Sequence, residues 1–137
     1  KGSEMSVTAY KRTISHTEDP RQIERRILAS VTSKLENKFE AFDGAAEKSQ
    51  KLQMLADGLR DTLWENQRVW LTFKADLAEK DNGLTADLRA ALISLALWVE
   101  NHTKAVLSGS KNVKPLIDIN RSIIDGLSGR AAKVAAE

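Results

Sequence analysis

The chain contains no cysteine. That excludes disulfides, thiolate nucleophiles and cysteine-ligated zinc, and it fits a reducing cytoplasm. Only two prolines and seven glycines occur in 137 residues, so long helices are favoured over many short strands. No charge sign dominates: 21 Lys and Arg face 19 Asp and Glu, a net of +2. A dedicated nucleic-acid binder carries a more lopsided field, so direct nucleic-acid binding is not expected. Long apolar runs are also missing. The longest, AALISLALWV over 90–99, is about half of what a membrane span needs, which excludes membrane insertion. The opening KGSEMSVTAY has no apolar run that would read as a secretory signal. Lys1 to Glu4 read as an expression remnant, with Met5 as the native start and one domain over 5–127. A chain of this length buries roughly two thirds of its unfolded surface, so it needs neither disulfide nor metal to fold.

What the sequence does have is helical periodicity, in four stretches. EDPRQIERRI announces the first, with Asp19 as N-cap and Pro20 at the first helical position. Ile23, Ile27, Val31, Leu35, Phe39 and Phe42 then recur at three- and four-residue spacing, and Gly44 ends a helix over about 20–43. The second stretch, about 46–80, aligns Leu52, Leu55, Ala56, Leu59, Leu63, Trp70, Phe73 and Leu77. Gly58 lies inside it and invites a bend, and KDNG closes it with turn chemistry. Thr85 caps the third, where Leu88, Ala91, Leu92, Leu95, Trp98, Val99, His102 and Val106 form the main stripe. Ile93 and Leu97 point the other way, so this helix reads as a central one packed on two sides. The fourth spans about 112–127. Its apolar side, Leu116, Ile117, Ile119, Ile123, Ile124 and Leu127, has Asn120 in its middle. Residues 128–137 read as a frayed or disordered tail. The expected fold is an all-α, single-domain bundle of about four main helices with short loops.

No catalytic constellation is present. The two histidines, His16 and His102, fall in different stretches, and His102 sits on an apolar face as a core or interface residue. Two histidines and scattered carboxylates have no metal-ligand spacing. SGS at 108–110 lacks the lysine pattern of a phosphate loop. Neither a cofactor nor a metal is expected, and the chain reads as a non-enzyme. Arg21, Arg25 and Arg26, with Lys11 and Arg12, give a basic edge, but Glu18, Asp19 and Glu24 interrupt it.

The most informative segment is LWENQRVWLTF, 63–73. Leu63, Trp70 and Phe73 share one face of the helix, and Trp64 and Leu71 form a second ridge. One reading is a wide buried face. The other is an aromatic patch that captures a partner helix, since Trp and Arg are favoured interface anchors. Trp64, Arg68, Trp70 and Leu71 are the candidate contacts, with Trp98, Asn120 and Arg121 as further candidates. Asn66, like Asn120, lies on an apolar face. Two amides in two apolar stripes point to a polar contact between helices, because an unpartnered buried amide costs about 1–3 kcal/mol.

Four blocks of the chain carry a family resemblance: AYKRT with EDPRQIERRIL (9–28), LWENQRVWLTFKAD (63–76), LTADLRAALISLALWVENHT (84–103) and PLIDINRSIIDGL (115–127). Together they resemble the FlaF family, flagellar biosynthesis regulatory proteins of alphaproteobacteria, from about Ser6 to Leu127. The resemblance implies a small cytoplasmic, non-enzymatic protein that binds flagellin and supports its synthesis and secretion in a chaperone-like way. It also implies a partner regulator, FlbT. The alternative is an adaptor that binds FlbT or its flagellin mRNA complex to control flagellin translation. The resemblance assigns no role to any single residue, and the oligomeric state stays open.

Overall fold

The computed structural model describes residues 20–79 and 83–127. Asp19, Lys11, Arg12, His16, the first three residues of KDNG and the tail over 128–137 lie outside the described residues. Every regular element described is helical. In chain order they are α1 (Pro20–Glu36), α2 (Phe39–Asp43), α3 (Lys48–Met54), a π-helical turn (Leu55–Leu59), α4 (Arg60–Ala78), α5 (Ala86–Leu107) and α6 (Lys114–Leu127). The all-α expectation holds, and α1, α4, α5 and α6 are the four main helices.

The expected first helix over 20–43 is interrupted after Glu36. The Lys38 amide bonds to the Leu35 carbonyl at 3.0 Å, a three-residue step that tightens the end of α1. The short α2 then sets off in its own phase. Phe42 is fully enclosed there, and Asp43 faces the start of α6. The Asp43 carboxylate accepts from the backbone amides of Val113 at 2.7 Å and Lys114 at 3.0 Å. These amides open α6 and have no partner inside the helix, and the negative charge suits its dipole.

The expected bend at Gly58 takes the form of a wider turn. Gly58 has φ 130° and ψ −22°, a backbone conformation that side chains resist. In an unbroken helix, residues four apart drift by about 40° around the axis. The extra residue in the π turn offsets that drift, and Leu55, Leu59 and Leu63 all reach the core. Leu52 and Ala56, expected on the same stripe, are exposed. Leu52 lies in α3, before the turn, and Ala56 lies within the turn itself.

α1 and α4 run antiparallel, with Lys34 bridging Glu65 at 3.1 Å and Ile27 level with Arg68, Val69 and Thr72. α6 returns antiparallel to α1, and α5 packs closely on α4 but only slightly on α6. The core joins Leu28, Val31 and Leu35 of α1 to Leu63 and Trp70 of α4, Val99 and Val106 of α5, and Leu116, Ile117 and Ile124 of α6. The expectation of a central third helix therefore needs correction. α5 buries Ala96, Val99, Thr103 and Val106 against its neighbours, while Leu88, Ala91, Leu97 and Trp98 stay exposed. Its N-cap is as expected: the Thr85 hydroxyl accepts from the Leu88 amide at 3.2 Å.

Candidate partner-binding surface

α4 presents two faces of different character. Its inward face carries Asn66 and Trp70 into a buried polar cluster with Thr32 of α1 and Asn120 of α6. The Trp70 indole N–H donates to Asn120 Oδ1 at 2.8 Å. Asn120 Nδ2 donates to Asn66 Oδ1 at 2.7 Å and to Thr32 Oγ1 at 3.0 Å. The Thr32 hydroxyl in turn donates to the Leu28 carbonyl at 2.6 Å. All three polar positions of Asn120 are thus used, and three helices are tied at one level of the bundle. Phe73 meets the Trp70 ring edge-on, with centroids 5.6 Å apart. The amide in the stripe of α6 is a core residue, and its apolar neighbours fill the bundle. Asn66 Nδ2 and the adjacent Gln67 Oε1 are enclosed without a partner among the described residues, at a cost of about 1–3 kcal/mol each.

The outward face carries Trp64, Arg68 and Leu71 at spacings of four and three, which places them in one line along α4. Trp64 is 47% exposed and Leu71 44%. Beside this line lies an open groove of about 250 Å³ between α1 and α4, lined by Glu24, Ile27, Glu65, Arg68, Val69 and Thr72. Arg68 therefore borders both the stripe and the groove. Ile27 is 46% exposed at its α1 wall. The periodicity of α1 places Ile27 in its core stripe, and nothing in the sequence marks that residue as the wall of a groove.

The remaining candidates lie elsewhere. Trp98 is on α5, 38% exposed, and stacks on His102 with ring centroids 4.6 Å apart. His102 Nε2 donates to the Asn112 carbonyl at 2.8 Å, so this ring pair sits at the α5–α6 loop. Arg121 forms a two-pronged pair with Glu36, its Nε at 3.0 Å from Oε2 and its terminal nitrogen on Oε1. The hydrogen bond from Arg121 holds the Glu36 carboxyl below the usual carboxylate range; partial burial opposes this, and the Arg121 charge lowers it further. Arg121 thus links α6 to α1. The structure brings Trp64, Arg68 and Leu71 together and places Trp70 and Asn120 behind them in the core.

The family model described as "Flagellar protein FlaF" matches residues 6–127. The chain belongs to the FlaF family. It is a flagellar protein by that membership, and the match covers all the described helices of this FlaF-family chain. Comparison with curated proteins gave no match. Comparison with solved structures gave none either. Among the described residues, no helix is long and apolar enough to cross a membrane.

Proposed function

We propose that this FlaF-family chain binds flagellin in the cytoplasm and supports its synthesis and secretion as a chaperone-like, non-enzymatic protein. The observation that supports this reading is the exposed Trp64–Arg68–Leu71 line beside the α1–α4 groove. A filament subunit awaiting export has apolar terminal helices to hide. An amphipathic helix laid along a groove needs apolar walls for affinity and one or two polar or cationic anchors for register. Ile27 and Val69 supply the walls; Trp64, Leu71 and Arg68 supply the anchors. The polar core behind them holds α4 at a fixed rotation, so the outward line is presented rigidly.

The test is co-purification with full-length flagellin and with flagellin lacking its terminal helices, sized by light scattering. A stoichiometric complex that disappears with the truncated flagellin is expected. No complex with either form contradicts the proposal, and FlbT becomes the partner to test. A complex buried through apolar contacts keeps its affinity as salt rises. Steep weakening between low and moderate salt would indicate RNA contact instead.

A further inference from the structure

The outer side of α5 is not part of the surface just described, and among the described residues it stands out for its lack of exposed charge. From Leu88 to Trp98 the exposed residues are Leu88, Ala90, Ala91, Ser94, Leu97 and Trp98, and none is charged. They cover about half the circumference of the helix at 100° per residue. The one charged residue in this span, Arg89, is turned aside and donates to the Glu79 carbonyl at 3.3 Å. Surface helices of monomers carry charged residues on their outward side. An uncharged outward arc with a Trp and two Leu is what the centre of an interface looks like, where charge is depleted. α6 leaves this side open, since α5 packs on it only slightly.

The ends of the arc say what covers it. Asp87 lies in the first turn of α5 and Lys104 in the last. Both are exposed, and neither side chain has an ion-pair partner among the described residues. One helix end is thus negative and the other positive, and none of the exposed residues between them is charged. An antiparallel copy of the same helix meets that pattern at both ends at once. We infer that this face is a two-fold interface on which α5 packs antiparallel to α5 of a second copy of this chain. A two-fold contact is self-complementary, so each pairing occurs twice. Setting Asp87 level with Lys104 of the second copy sets Leu97 level with Ser94, on either side of the axis. Trp98 then lies over the small surface of Ala90 and Ser94, large against small. A parallel copy would place Asp87 beside Asp87 and Lys104 beside Lys104, which like charges disfavour.

The inference does not depend on flagellin binding, and its test uses this protein alone. Sedimentation velocity across micromolar concentrations is expected to show a concentration-dependent dimer. Leu97→Asp places two carboxylates at the axis and should leave a monomer whose helical circular dichroism is unchanged. Asp87→Lys alone and Lys104→Asp alone should each weaken the dimer by tenfold or so, at about 1.4 kcal/mol per tenfold. The double variant Asp87→Lys/Lys104→Asp should restore it. A wild-type monomer at every concentration would overturn the proposal, and so would a dimer untouched by Leu97→Asp. Failure of the double variant to recover, with its fold intact, would overturn the antiparallel arrangement.

Discussion

Trp64 and Trp70 lie six residues apart on one helix and have opposite fates. Trp70 is 1% exposed, and its indole N–H is held by Asn120. Trp64 is 47% exposed and makes no hydrogen bond among the described residues. Their composition is the same; their phase on α4 differs by about 120° at 3.6 residues per turn. A buried indole needs an acceptor for its N–H, and the chain places one on another helix fifty residues away. An exposed indole can satisfy that N–H with water, and its ring stays accessible. The polar core and the proposed docking line are therefore two sides of one helix, and the core fixes the rotation at which that line faces outward.

The largest effect should come from the buried side. Trp70→Ala removes the biggest enclosed side chain and strands the Asn120 oxygen, so urea unfolding should show a loss of about 3–5 kcal/mol. Asn120→Ala should cost about 2–3 kcal/mol, because it leaves the Trp70 N–H and the Asn66 oxygen buried without their present partner. Asn66→Ala should cost less than Asn120→Ala, since Asn66 makes one bond of this cluster and already carries an unpaired Nδ2. Equal losses for the two amides would mean that they do not form the cluster seen here. Asp43→Ala should cost about 1 kcal/mol by uncovering the first amides of α6.

The smallest stability effect belongs to the Glu36–Arg121 pair, which is more than a third exposed on both sides. Its contribution should not exceed about 1 kcal/mol. The Glu36 carboxyl is lowered in the folded state, so its stabilisation is present above the unfolded carboxylate pKa and is lost as pH falls through the lower folded value. Comparing urea midpoints of the wild type and Glu36→Gln should show the two curves converging in that acid window. A gap that persists below it would assign the difference to packing.

How much of this could be read from residues alone depends on the range of the interaction. Helical phase is local: it sets Asn66 and Asn120 on inward faces and points to a polar contact between their helices, and the two amides meet at 2.7 Å. The Thr85 cap is local too. The Asp43 cap on α6 joins residues seventy positions apart, and nothing in FEAFDG marks that carboxylate as different from a solvated one. The π turn was visible only as a misplaced glycine; its effect on phase, which exposes Leu52 and Ala56, depends on the packing of α3. α5 was misread because an all-round apolar helix looks central. Periodicity reports how much of a helix is apolar, and only the neighbours decide which part is covered. The same limit applied to the tryptophans: Trp64 and Trp70 were both candidate contacts, and the bundle separates them.

The most direct test of the two-sided helix is a paired measurement on Trp64→Ala, with stability from urea unfolding and affinity for flagellin from titration of purified proteins. The account predicts a stability change within about 0.5 kcal/mol of wild type, as for other exposed positions, and a loss of flagellin binding of tenfold or more. A substantial loss of stability with binding intact would contradict it, and would return Trp64 to the core with Trp70.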